Sequence, residues 1–330
     1  MRKLASIQKI ESVFEIPGAD RIELAQILGF KAIVSKGKFH PNDVVVFIDR
    51  DSILPEIPEF EFMRKEFFRV KVWKLNKFNV YSEGLVFHLN ELPIPDSVEI
   101  GDDITDYLGI IKYEPVVKTY FGNQAGAFPY FLQHTNETQL QTFPNILEYM
   151  QGKKVIATQK VDGSSATFFN HNGDMGICSH HVRLKPENSV LTDIGNEYGI
   201  FDILANHNLA LQGELCGPGY NGSGKYKNPM GVAKPTVMFF SMFDTENYRY
   251  FSEKTFWEFT TAYGLPTVKL VKIWDYFDET LESLVQLASE GKYPTGLPQE
   301  GIVVRLLRDV TRVSFKVLNP EYQIKVERTK

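Results

Sequence analysis

Over the first ninety residues apolar and polar positions alternate in short runs, and a helical period is scarce. Strand-sized runs stand at Lys31-Ala32-Ile33-Val34, Asp43 to Ile48, Phe68 to Leu75 and Glu83 to Phe87, separated by turn residues. The alternation begins close to Lys3. This spacing predicts about five short strands, a number that closes into a small barrel, for which the OB type is a common solution. From Pro93 to Pro129 the chain carries Pro93, Pro95, Pro115, Gly122, Gly126 and Pro129 among mixed polar residues and reads as a connector. A helix-like segment follows from Asn136 to Met150, and then strands and helices alternate to the end without repeats or low-complexity tracts. The clearest helix spans Glu279 to Glu290, with Leu281, Leu284, Leu287 and Ala288 on one face. The expected organisation is a barrel domain with its connector over residues 1–115 and an α+β domain, about twice as large, over 116–330.

One strand carries candidate chemistry. From Arg69 to Leu75, period two places Arg69, Lys71 and Trp73 on one face and Val70 and Val72 on the other. With Arg64, Lys65 and Phe67 upstream, this is the pairing of charge and stacking surface that holds nucleic-acid strands on OB surfaces. A solvated strand face, with Trp73 covering the barrel mouth, fits the same residues.

Composition narrows the setting. The 43% hydrophobic and 23% charged fractions are those of an ordinary folded protein. Apolar runs such as Val44 to Ile48 fall far short of the roughly 20 residues that cross a bilayer, and Met1 to Ala5 enter the strand pattern without a secretory core. A cytoplasmic protein that does not contact membranes is expected. The two cysteines, Cys178 and Cys216, lack metal spacing and read as reduced, structural thiols. A net charge of -5 and a pI near 5.9 confine any nucleic-acid contact to a local basic patch.

The strongest local motif is Gln159-Lys160-Val161-Asp162-Gly163-Ser164, entered from the strand-like Val155-Ile156-Ala157-Thr158. A lysine ending a strand projects into the space beside the sheet, and the carboxylate two residues on can hold a divalent cation through water. Lysine attacks only when neutral, against a reference pKa near 10.4, which calls for a neighbouring cation to depress it. Alone, Lys-x-Asp-Gly is equally an exposed strand and turn.

Four further motifs follow in order. They are Leu211-Gln212-Gly213-Glu214-Leu215-Cys216-Gly217-Pro218-Gly219, Val237 to Asp244, Glu300-Gly301-Ile302-Val303-Val304-Arg305 and Ser314-Phe315-Lys316-Val317. Singly, Glu214 could be a surface carboxylate, Phe240 a core residue, Glu300 a turn residue and Lys316 a solvated strand position. Together the set resembles the covalent nucleotidyltransferases. The resemblance implies that Lys160 becomes attached to AMP, with Lys316 as its catalytic companion on the α-phosphate. It further implies that Gln159, Lys160, Val161, Glu214, Phe240, Glu300 and Lys316 bind ATP or AMP, Phe240 by stacking on the purine. Asp162, Glu214 and Glu300 would hold the water shell of magnesium or manganese.

Within that superfamily, DNA ligases and capping enzymes place an OB domain after the fifth motif. Only fourteen residues follow Lys316 here, and the barrel comes first. This order, with Cys178-Ser179, resembles the nick-sealing RNA ligases that carry an N-terminal OB domain, along essentially the whole chain. The implied fold is α+β, a five-stranded OB-type barrel followed by an ATP-grasp-like ligase domain of packed antiparallel sheets with flanking helices. The implied activity is ATP-dependent joining of RNA 3'-hydroxyl and 5'-phosphate ends at nicks, by a monomer, with Arg69, Lys71 and Trp73 on the nucleic acid. The sequence departs from the family at His180, where an arginine is usual, in Phe131 to Glu137, where a lysine and more charge are usual, and at Leu318, where a second lysine is usual. Arg305 or Lys325 could replace the missing charge. The rival readings are a GTP-dependent capping-type enzyme and an OB-containing RNA-binding protein with a weakened ligase-like domain.

Overall fold

In the computed structural model the described residues are 3–95, 97–113, 124–187, 189–220, 228–307 and 312–327. The chain forms two compact units, Met1–Lys118 with Gln141–Pro144, and Thr119–Leu140 with Asn145–Lys330. The boundary expected at 115/116, with the markers Pro115 and Gly122, lies outside the described residues.

The first unit holds β1 (Ala5–Glu15), β2 (Ile22–Ile27), β3 (Phe30–Ser35), β4 (Val44–Asp49), β5 (Ser52–Ile53), β6 (Trp73–Leu75), β7 (Val80–Ser82), β8 (Gly84–His88) and β9 (Ile111–Lys112). Five of them make an antiparallel sheet in the order β3-β2-β1-β4-β8. Its two outer strands meet where the Glu83 amide donates to the Lys31 carbonyl at 2.8 Å, so the sheet curls on itself and leaves little open edge. Ile10, Ala25, Ile27, Phe30, Ala32, Val45 and Phe47 fill the interior. The alternate residues of β4, Val46 and Ile48, are buried on the outer face among Leu54, Phe60, Met63 and Val70. A strand covered on both faces reads as a continuous apolar run, as Val44 to Ile48 does.

The run Phe68 to Leu75 forms a regular strand only from Trp73 onward. A 3₁₀ segment, Pro58–Glu66, ends with Phe67 and Phe68 both at positive φ (54° and 58°), and this left-handed exit prevents strand pairing from starting at once. The alternation itself holds, because Val70 and Val72 are buried while Trp73 is half exposed.

The second unit contains β10 (Gln124–Ala127), β11 (Val155–Lys160), β12 (Ser164–His171), β13 (Asp174–Cys178), β14 (Val182–Leu184), β15 (Leu209–Cys216), β16 (Thr236–Asp244), β17 (Arg249–Tyr250), β18 (Leu270–Trp274), β19 (Gly301–Leu306) and β20 (Ser314–Leu318). They build two antiparallel sheets, β10-β14-β13-β12-β15-β16-β17 and β18-β11-β19-β20. Among the described residues six short helices accompany them: α1 (Ile146–Met150), α2 (Val190–Glu197), α3 (Ile200–Ala205), α4 (Glu253–Ala262), α5 (Leu281–Glu290) and α6 (Pro320–Glu327). Helices α2, α3 and α4 cover one face of the larger sheet through Leu191, Ile194, Leu204 and Phe256. The smaller sheet packs on α5 through Val155, Ala157, Ile302, Val304, Leu284 and Ala288. The two buried residues of α5, Leu284 and Ala288, belong to the face read from its spacing, and the Thr280 side chain caps its first turn.

The expected helix from Asn136 to Met150 is replaced by an extended stretch, a 3₁₀ turn at Leu140–Thr142 and the short helix α1. Thr138 gives its carbonyl to the Lys316 amide at 2.8 Å, extending the edge of β20, and Pro144 disfavours helical backbone at the residue before it. Both cysteines are buried, and burial pushes each thiol up to about 12, which keeps them protonated and inert. Among the described residues no helix is long and apolar enough to cross a membrane.

Candidate active site

Strand β11 ends at Lys160, and the turn that follows is governed by a close approach rather than by a special backbone conformation. Gly163 does not adopt positive φ, but a Cβ there would lie 2.2 Å from the Leu215 carbonyl oxygen and 2.9 Å from the Glu214 side chain. Only glycine lets the turn sit against β15. The register Ser165↔Glu214 then sets Glu214 beside the turn, and Lys160↔Gly301 sets Glu300 at the start of the adjacent strand. Four residues separated by up to 140 positions thus converge. Lys160 Nζ lies 2.8 Å from Glu300 Oε2, and Glu214 and Asp162 act on the same ammonium.

The protein's own groups, taken without a cation, favour the charged form of the lysine. Burial pulls the Lys160 pKa down, but Glu300, Glu214 and Asp162 more than offset it and hold the amine up to about 12. Burial pushes Glu214 up to about 8, with Lys160 opposing and the other two carboxylates reinforcing the rise. One ammonium faces three carboxylates, and Glu214, raised by burial, carries the excess proton near neutral pH.

Among the described residues no group of three His, Cys, Asp or Glu side chains is arranged to hold a metal ion directly. The donor set nevertheless suits a hard divalent cation that keeps its waters, because three carboxylates around one ammonium leave negative charge uncompensated.

An apolar wall stands beside the charges. Val161 is buried with Cys216, Met230, Val268, Tyr293 and Tyr322, and Phe240 and Met238 pack against the same cluster. Lys316 pairs with Val303, two residues from Gly301, so by the alternation of strands it shares a sheet face with Lys160. Gln159, by contrast, faces away: its buried amide donates to Gln299 Oε1 at 3.0 Å.

Arg305 is committed elsewhere. Its guanidinium is almost completely buried, donates to the Phe240 carbonyl at 2.9 Å and lies within 4 Å of Glu253 and Glu137. It therefore cannot take over the charge missing at Leu318, which is buried; the Lys325 side chain lies outside the described residues. The departure at Phe131 to Glu137 likewise has a structural use. Glu137 binds Arg312 at 2.7 Å and Ser314 at 2.6 Å on the wall of a polar cleft next to Lys316. His134 stacks on Phe128 (4.1 Å, 22°) and meets the His180 carbonyl at 3.1 Å, so these histidines are held by each other's backbone and rings.

In the first unit, Arg69 is only 13% exposed, lies 3.6 Å from Asp51 and stacks over the Tyr113 ring at 3.5 Å. Lys71 is 3.3 Å from Glu66, and Trp73 is 50% exposed. Of the three candidates only Trp73 presents a large open surface.

Two site residues carried no signal in the sequence, Tyr293 and Tyr322. The Tyr293 hydroxyl donates to the Lys160 carbonyl at 2.8 Å and accepts from the Asp162 and Glu300 amides, each at 3.1 Å, while the Tyr322 hydroxyl donates to the Asp162 carboxylate.

Comparison with known proteins bears on the same region. The family model described as RNA ligase matches residues 153–318, and one described as an OB-fold domain matches residues 4–89. No curated protein matches. Solved structures that superpose include a Naegleria gruberi RNA ligase with pyrophosphate, 25% identical, TM-score 0.88, covering 99% of this chain and 100% of that one. A glutamate-to-alanine variant of that ligase with ATP and manganese is 24% identical with TM-score 0.89, covering 99% and 100%. A second such variant, with AMP and manganese, is 25% identical with TM-score 0.89, covering 99% of each chain.

Proposed function

The chain belongs to the RNA ligase family, and we propose that it is an ATP-dependent enzyme that seals nicks, joining a 3'-hydroxyl to a 5'-phosphate through AMP attached to Lys160. The observation that carries this reading is the burial of the Lys160 ammonium against Glu300, among Glu214 and Asp162, at the end of a strand. No role in packing calls for so dense a set of charges, whereas a lysine whose proton has a carboxylate within reach, in a site where a cation can offset the negative charge, suits nucleophilic attack.

In the first step neutral Lys160 attacks the α-phosphorus of ATP. A P–N bond forms, the bond to the bridging oxygen breaks, and pyrophosphate leaves. Glu300, 2.8 Å away, is the nearest group to receive the amine's proton. Lys316, on the same sheet face, is assigned to the α-phosphate oxygens, where charge gathers in the transition state. Val161 and Phe240 supply the apolar wall for the base. The water shell of magnesium or manganese is assigned to Asp162, Glu214 and Glu300, and the cation when bound would draw their charge away from Lys160 and polarise the phosphate. The 5'-phosphate of the broken strand then attacks the lysyl phosphorus, taking AMP and returning the electron pair to the amine. Finally the 3'-hydroxyl attacks that 5'-phosphorus and expels AMP. The OB unit, through Trp73 and Lys71, is assigned to the nucleic acid.

Incubation with α-labelled ATP tests the reading. Label retained on the denatured protein, mapped to Lys160, supports it. Label from GTP but not ATP would favour a capping-type enzyme, and no label from either would leave only a binding protein.

A further inference from the structure

The loop between α5 and β19 is folded tightly on itself. Tyr293 donates its amide to the Leu297 carbonyl at 2.8 Å, and the Gln299 amide reaches the Gly291 carbonyl at 3.0 Å. The far end is anchored by Asn319, whose side chain donates to the Gln299 carbonyl at 3.0 Å and whose amide donates to the Glu300 carbonyl at 2.8 Å. A side chain on such a loop is held in one place, and the one aimed at the site is Tyr293, 2% exposed.

We propose that Tyr293 is a positioning residue, whose hydroxyl aligns Lys160 with Asp162 and Glu300 for nucleotidyl transfer; this rests on the function proposed above. A phenol has one proton to donate and lone pairs to accept with. Here the proton goes to the Lys160 carbonyl and the oxygen takes the Asp162 and Glu300 amides, so a single atom ties together the backbones of the three residues. Packing alone needs only the ring. A phenylalanine would fill the same volume, yet would take the shared hydroxyl away from two part-buried amides and a carbonyl, and a polar group that loses a partner in the fold costs more than the bond itself contributes. Tyr322 holds the opposite side of Asp162, and the two rings meet edge to face at 6.1 Å.

The test compares Tyr293→Phe with Leu297→Val, which trims the same cluster but keeps the hydroxyl. Three readouts are needed: the rate of AMP attachment against ATP concentration, the Mn2+ titration of that rate, and amide hydrogen exchange at Asp162 and Glu300. For Tyr293→Phe we expect the maximal rate to fall roughly 10- to 100-fold with little change in KM, the Mn2+ midpoint to move, and exchange at both amides to quicken at least tenfold. Leu297→Val should lower Tm while leaving all three readouts near native. The inference is overturned if Tyr293→Phe attaches AMP at the native rate, or if Leu297→Val loses as much. Should the native protein attach no AMP, the proposed function fails, and exchange decides the inference: slow amides in the native protein and fast ones in Tyr293→Phe sustain the alignment, while equal rates overturn it.

Discussion

Lys160 Nζ sits 2.8 Å from Glu300 Oε2, at the junction where β11 ends and β19 begins. The lysine is thus charged at rest and must lose its proton before it can attack. Removing it should do two things. Lys160→Ala should abolish covalent AMP, and it should lower Tm as well, because Glu300 is left part-buried without its counter-ion. Label transfer together with a thermal melt checks both, and an adduct surviving in this variant contradicts the assignment.

The proton on Lys160 sets a pH dependence. The carboxylates hold the amine up to about 12 in the metal-free site, and wherever a bound cation leaves that value above the assay pH the neutral fraction grows about tenfold per pH unit. The rate of AMP attachment should therefore climb across pH 6 to 8. Glu300→Gln, which removes the nearest charge raising that pKa, should move the profile to lower pH even as it lowers the maximum. A flat profile in the native enzyme, with attachment shown to limit the rate, would contradict this.

Glu214 affects stability with the opposite pH trend from an ordinary ion pair. Its carboxyl is raised to about 8 in the fold, so the folded form holds its proton more tightly than the unfolded chain does. Stability from that proton is full below about pH 4.5 and is lost as pH rises toward 8. Glu214→Gln keeps the shape without the ionisable proton. It should match the native Tm near pH 5 and exceed it by roughly 3 °C or more at pH 9. A constant difference across that range would show that burial does not govern this group.

Sealing should separate from AMP attachment at the first unit. Trp73 is half exposed, whereas Arg69 is locked between Asp51 and Tyr113. Lys71→Ala with Trp73→Ala removes one charge and one stacking surface and spares the fold. Stacking is worth roughly 1–3 kcal/mol, so RNA affinity should fall about 5- to 150-fold with a shallower salt dependence, while AMP attachment stays native. Nick sealing and binding at two salt concentrations test it. Unchanged affinity would remove this face from the RNA path. Adding Arg69→Ala would confuse the outcome, because that side chain also contacts Asp51 and Tyr113.

Much of the site was legible because its residues are tied to local rules. A lysine at a strand end followed by Asp-Gly, a Gly-Glu pair within a strand and a Glu-Gly pair opening another are read directly from the sequence, and the structure brings Lys160, Asp162, Glu214 and Glu300 together. Helix α5 and four strands of the five-stranded sheet followed from spacing in the same way, whereas β2 was not read and the run at 68–75 lies outside that sheet. The segment at 136–150 did not, because the Lys316 amide supplied Thr138 with a strand partner that local propensity cannot know.

The sequence by itself determined which groups could do chemistry, since residue type and strand period are local properties. Only the tertiary structure decided what each of them does with its neighbours. It buried Arg305 as a strut, turned Gln159 away from Lys160, paired Lys71 and enclosed Arg69, and recruited the Tyr293 hydroxyl from a loop 133 positions distant. The physical reason is that charge, hydrogen-bond satisfaction and burial depend on what lies within a few ångströms, and that is set by how the sheets pack and not by the order of residues along the chain.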